Sequence, residues 1–136
     1  MMAGRQDTVP AAGQAPAAPA YRFRPGDQQL PVANDGPSMH DLVIADIREA
    51  ALTTRRREAV GRLLADRKQI GIDRYGSILQ PFNGRDAQRD VREELADAAV
   101  YARQMVEETC GDPATNIQAR RLYRAVLSAL YQAYPS

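Results

Sequence analysis

The sequence predicts an all-α fold, a small antiparallel helical bundle preceded by a disordered N-terminal arm. Three observations carry that expectation. From Ser38 onward apolar residues recur every three or four positions, the helical period, and no stretch alternates with the period of two that marks a strand. Gly76, Pro81, Gly84, Gly111 and Pro113 punctuate the chain between these periodic stretches. The connections are also short enough to make successive helices antiparallel neighbours.

The length, 136 residues, allows one folded domain. Residues 1–37 are subtracted from it, because they hold six of the nine prolines and run from Pro10 to Ala20 almost wholly in Ala, Pro, Gly and Gln. Such a composition cannot bury enough apolar surface to offset the entropy of ordering. This arm is read as a plain tail, with Tyr-Arg-Phe-Arg-Pro at 21–25 as the alternative, a short partner-binding element. The folded domain is expected over 38–136.

Ser38 followed by Asp41 resembles a capping box, and Leu42, Val43, Ile44 and Ile47 give a short helix to about Ala51. His40, the only histidine, falls in its first turn and is expected to be solvated. A second helix is expected from Arg55 to Asp73. Ala59, Val60, Leu63, Leu64 and Ile70 make its apolar face, and Glu58, Arg62, Asp66, Gln69 and Asp73 a polar one. Arg55, Arg56 and Arg57 sit at the positive end of the helix dipole, which is mildly unfavourable, and read as surface charge.

Tyr75, Ile78, Leu79 and Phe82 make the next loop too apolar for a solvated linker, so it should fold back on the helices. Asn83 is the expected N-cap of the third helix. That helix, Asp86 to Glu107, sorts cleanly at about 100° per residue. Val91, Leu95, Ala98, Ala102 and Val106 fall on one narrow arc, while Asp86, Asp90, Glu93 and Asp97 fall opposite, with Glu94 and Tyr101 at the shoulder. Gly111 and Pro113 end it and open the last helix, Thr115 to Tyr134. There Leu122, Val126, Ala129, Leu130 and Ala133 should be buried, and Arg121, Arg124, Ser128 and Gln132 outside.

Charge is nearly balanced, 18 basic residues against 17 acidic, so no global field points to nucleic acid or a membrane surface. A single cysteine, Cys110, permits no intrachain disulfide, and its acidic neighbours disfavour a reactive thiolate. No apolar run is long enough for a membrane span and no signal-peptide core is evident, so a cytoplasmic location is expected.

The carboxylates of the third helix admit two readings. Like charges three and four apart repel by a few tenths of a kcal/mol per pair. Either this is the solvated face of an amphipathic helix, or it is a divalent-cation site, because hard cations take carboxylate oxygens together with substrate phosphates.

Arg-Tyr-Gly-Ser-Ile-Leu-Gln-Pro-Phe-Asn-Gly-Arg-Asp at 74–86, followed by Arg-Glu-Glu-Leu-Ala-Asp-Ala-Ala-Val-Tyr-Ala-Arg-Gln-Met at 92–105, resembles a phage and actinobacterial branch of the MazG-like all-α nucleoside-triphosphate pyrophosphohydrolases. The similarity spans roughly residues 40 to 108. That family carries an E-x-x-E pair on one helix and an E-x-x-D pair on the next, whose carboxylates hold Mg²⁺. The second pair is present as Glu94 and Asp97. The first is degenerate, with Asp66 and the neutral Gln69 in its place.

The resemblance implies a Mg²⁺-dependent hydrolase, with Mn²⁺ as an alternative ion, that releases pyrophosphate from a nucleoside triphosphate. Asp66, Gln69, Glu94 and Asp97 would hold metal. Asp90 or Glu93 would position water or a second ion, and Lys68, Arg74 and Arg85 would neutralise the outgoing pyrophosphate. Tyr75, Phe82 and Asn83 are candidates for touching base or sugar. A homo-oligomer, dimer or tetramer, is implied as well. Two alternatives stand beside this reading: a relative that binds nucleotide without turnover, and a helical interaction module with no enzymatic activity.

Overall fold

A computed structural model of the chain describes residues 26–134, within which four α-helices and no strands are found. The all-α expectation holds. Of the expected arm, residues 1–25, with Pro10 to Ala20 and Tyr-Arg-Phe-Arg-Pro, lie outside the described residues. Residues 26–37 form no helix, yet they are tied to the rest of the chain and belong to its folded part.

Helix α1 spans Met39–Glu49, and the Ser38 hydroxyl accepts from the Asp41 amide at 3.4 Å, so the expected cap is present. Helix α2 spans Thr54–Tyr75; Thr53 caps its start, and Gly76 ends it in the left-handed region at φ 74°, which glycine enters without steric cost. Helix α3 spans Ala87–Glu108 and helix α4 Pro113–Gln132, with Pro113 in the first turn, where no amide donor is missed.

The N-cap of α3 is Asp86, not Asn83 as the sequence suggested. Asp86 Oδ1 accepts from the Arg89 amide at 3.1 Å. Asn83 is buried one turn earlier, where its Oδ1 accepts from the Arg85 amide at 3.0 Å and shapes the loop instead.

The helices pair as two hairpins, α1 with α2 and α3 with α4, and α2 and α3 do not pack on one another. In the first hairpin Lys68 Nζ reaches Asp41 Oδ2 at 2.8 Å, and Arg57 Nη2 donates to the carbonyls of Ala50 and Leu52 at 3.2 Å. In the second, Asn116 Nδ2 donates to the Val106 carbonyl at 2.8 Å near the turn. At the far end Arg92 Nε donates to the Ala133 carbonyl at 2.7 Å, with the guanidinium 4.8 Å from the Tyr134 ring centre. Arg92 thus closes the C-terminus of α4, where orphan carbonyls favour a cation.

The buried apolar residues are Ala99, Ala102, Val106 and Ala119, so α3 meets α4 through small side chains at close approach. Leu95 and Ala98 are half-buried as the periodicity requires, but Val91 at the edge of that arc is exposed, and Ala99 replaces it. On α4, Val126, Ala129, Leu130 and Ala133 are half-buried, whereas Leu122, expected inside, is exposed. The arc facing α4 is rotated slightly from the most apolar one, because Ala permits the closer contact.

Candidate functional site

The loop between the hairpins, 76–86, is held largely by residues 26–39. Gln80 is buried, and its side chain works on both sides: Oε1 accepts from the Asn34 amide at 2.9 Å, while Nε2 donates to the carbonyls of Asn34 at 2.5 Å and Gly36 at 2.7 Å. Asn34 Nδ2 returns a hydrogen bond to the Pro81 carbonyl at 2.7 Å. Backbone bonds from Val32 N to Asn83 O and from Met39 N to Leu79 O, both 2.9 Å, complete the clamp. Gly36 sits where a Cβ would meet Asn34 Oδ1 at 2.7 Å and Pro81 Cδ at 3.1 Å, so the close approach needs glycine.

This clamp sets the root of a cleft of about 360 Å³ between the C-terminal turns of α2 and the first turns of α3. Arg67, Ile70, Arg74 and Tyr75 line it from α2, and Arg85, Asp90 and Glu94 from the other side. The Arg74 guanidinium lies 5.3 Å from the Tyr75 ring centre. His40 also lines the cleft, half-buried, with its Nδ1 shielded from solvent and making no hydrogen bond. It is therefore not the solvated histidine the sequence suggested.

Within the cleft, Arg85 Nη2 donates to Asp90 Oδ1 at 2.7 Å and Arg85 Nε to Asp90 Oδ2 at 3.1 Å. Gln28 Nε2 adds a third bond to Asp90 Oδ1 at 2.7 Å, and Gln28 Oε1 accepts from the Asp86 amide at 2.6 Å. Asp90 is thus engaged at both oxygens by groups that position the start of α3. Glu93 pairs with Arg89 at 2.7 Å, and that contact raises the Arg89 pKa above its ordinary value, first through the hydrogen bond Arg89 donates to Glu93 and second through the carboxylate charge.

The expected site residues are partly brought together. Arg74, Arg85, Asp90 and Glu94 share the cleft. Asp97 follows one turn after Glu94 on α3 and is exposed. Lys68 turns to α1 and pairs with Asp41, and Gln69 Nε2 donates to Asp73 Oδ1 at 2.8 Å along its own helix. Asp66 and Gln69 are exposed and do not line the cleft. Among the described residues no three His, Cys, Asp or Glu side chains converge as a metal-holding group.

Of the three candidates for base or sugar contact, Tyr75 lines the cleft, Asn83 is buried in the loop, and Phe82 stands 99% exposed at φ 55°. Arg67 and His40 are the cleft residues that sequence reasoning missed. Arg67 lies one and two turns before Ile70 and Arg74 on the same face of α2, a signal that was present in the spacing. His40 reaches the cleft only through the packing of α1 on α2.

None of the described helices is long and apolar enough to cross a membrane. No protein-family model, curated protein or solved structure matches the chain.

Proposed function

We propose that the chain binds a nucleoside triphosphate in the cleft between α2 and α3 and hydrolyses it between the α- and β-phosphates, releasing pyrophosphate. The observation that carries this reading is the lining of the cleft. Arg67, Arg74 and Tyr75 from α2 share the cleft with Arg85 and Glu94 from its other side, and this juxtaposes anion-binding groups with a carboxylate and one aromatic ring.

Mg²⁺ fits this donor set in part. Glu94 and Asp97, three apart on α3, can reach one ion together, and Mg²⁺ commonly takes one or two carboxylates with phosphate and water as its other ligands. Asp66 and Gln69 do not meet them within one chain. When bound, the ion, or Mn²⁺ in its place, would neutralise charge developing on the phosphoryl oxygens. Arg67 and Arg74 hold the phosphates and offset the charge of the departing pyrophosphate. Glu93 is paired with Arg89 and does not line the cleft, so for it to orient the attacking water that pair must open, as the pair with Arg85 must for Asp90. Tyr75 packs against sugar or base.

A second reading is favoured by one observation. Gln69 is neutral and bonded to Asp73 rather than facing the cleft, which suits a relative that binds nucleotide without turning it over. One assay separates the two. A nucleotide panel with Mg²⁺ or Mn²⁺, followed for pyrophosphate release and for binding, should give both signals if the chain is a hydrolase. Binding without release selects the second reading, and neither signal overturns both.

A further inference from the structure

The α3–α4 hairpin carries, towards its turn, a second pocket of about 280 Å³ that shares no lining residue with the cleft between α2 and α3. Arg103, Glu107 and Cys110 line it from the α3 side, and Arg120, Tyr123 and Arg124 from α4. Three guanidinium groups thus share the pocket with a single carboxylate, and Glu107 is already committed to Arg103, one turn earlier on its own helix. Helix α4 offers no counter-charge, since its 20 residues hold three arginines and no Asp or Glu. Arg124 is exposed and has no ion-pair partner among the described residues.

Arg120 is held in a way that leaves its charge intact. Its Nε donates to Asn116 Oδ1 at 2.8 Å, and Asn116 is itself fixed, its Nδ2 donating to the Val106 carbonyl at 2.8 Å and to the Thr109 hydroxyl at 3.1 Å. A neutral amide anchors the guanidinium without neutralising it, so both Nη groups keep their donors and their charge for an outside acceptor. A carboxylate at that position would have done the opposite.

We propose that this pocket binds a phosphate dianion, free or as the terminal group of a small phosphomonoester, with Arg120 and Arg124 as its direct ligands and Arg103 as a flanking charge. Planar guanidinium forks donate paired N–H groups to phosphate oxygens, and such charge-assisted bonds are the strong ones. The charges match as well. Three positive groups less the one carboxylate leave two, against about −1.5 to −2 on a phosphomonoester at neutral pH. The volume equals on the order of nine waters at ~30 Å³ each, more than one phosphate ion needs, so a small organic carrier can enter with it. This site is separate from the cleft and does not rest on nucleotide hydrolysis.

Cys110, the only cysteine, is exposed in this pocket and reports on it alone. The full chain is titrated with inorganic phosphate and, separately, with glycerol phosphate, the ionic strength held constant with chloride so that screening is common to every sample. The Nε–H NMR signals of Arg103 and Arg120 should shift to saturation. Alkylation of Cys110 by iodoacetamide should slow in step, because a seated anion covers the sulfur and opposes the thiolate charge. Arg124→Gln should weaken both effects about tenfold. Arg121→Gln removes the same charge from the same helix outside the pocket, and should weaken them at most about twofold, since a distant exposed charge is screened. Both positions are exposed, so neither variant disturbs the packing of the hairpin. Tighter binding of glycerol phosphate makes a monoester the occupant, and equal binding makes it the free ion. Shifts that do not saturate, alkylation indifferent to phosphate, or equal losses in the two variants would each overturn the proposal, the last by tracing the effect to the general field of α4.

Discussion

Arg85 grips Asp90 through two parallel hydrogen bonds, Nη2 to Oδ1 at 2.7 Å and Nε to Oδ2 at 3.1 Å, and so joins the clamped loop to the first turn of α3. The pair is part-buried, its side chains 25% and 34% exposed. A fully buried pair loses several kcal/mol when broken and an exposed one almost nothing. Asp90→Asn should therefore cost about 1 kcal/mol of stability in urea denaturation. Arg85→Lys, which keeps the charge but loses the fork, should cost a similar amount. A loss near zero for both would mean that the loop does not depend on this contact.

Gln80 is the centre of the clamp. Replacing it with Ala leaves the Asn34 amide and the Asn34 and Gly36 carbonyls without their partner, at a cost of about 2 kcal/mol. The same change should expose residues 26–37 to proteolysis. Removing residues 1–25 should leave thermal stability unchanged, whereas removing 1–37 should lower it, since the second deletion takes away Gln28, Asn34 and their bonds. Equal melting temperatures for the two truncations would show that the clamp contributes nothing.

Asp97→Asn separates a metal ligand from a surface charge. If Glu94 and Asp97 hold the cation, the substitution should abolish Mg²⁺-dependent pyrophosphate release, or Mg²⁺-dependent nucleotide binding in a chain without turnover. Stability should stay the same or rise by a few tenths of a kcal/mol, because one charge leaves a crowded acidic face. Asp66→Asn asks the same question of α2. Unaltered metal response in both would remove the carboxylates from the site.

Phe82 adopts φ 55° with its side chain 99% exposed, so it bears backbone strain with no burial to offset it. Asn tolerates this region better, and Phe82→Asn should stabilise the chain by about 0.5–1 kcal/mol. Lower stability in the Asn variant would mean that the ring is covered in solution.

Asp112 caps α4, and its carboxyl is held below the usual range, first by the Thr115 hydroxyl and then by backbone amides including that of Ala114. The folded pKa is depressed, so the stability it contributes is present above the unfolded aspartate value, about 3.9, and is lost as pH falls through the lower folded one. Thr115→Val should raise the Asp112 pKa in a carboxyl NMR titration and shift the acid loss of α4 to higher pH. An unmoved titration would assign the depression to the helix end alone.

The helices were legible in the sequence because their causes are local. Ser38, Gly76 and Pro113 act on backbone within a turn of themselves, and a period of 3.6 residues decides which side chains share a face. Asn83 misled because Asp86, three residues on, is an equally good cap, and only the path of the loop chose between them. The spacing of Glu94 and Asp97 was likewise readable, and so was the weakness of Asp66 and Gln69 as their counterpart.

What tertiary structure alone decided lies between residues far apart in the chain. Gln28 meets Asp90 and Asn34 meets Gln80 across 62 and 46 residues, so a stretch composed like a tail became the clamp of the cleft. Periodicity states what lies on one face of a helix but not which neighbour covers it. For that reason the acidic side of α3 was visible from the sequence, while Ala99 against α4 and His40 in the cleft were not.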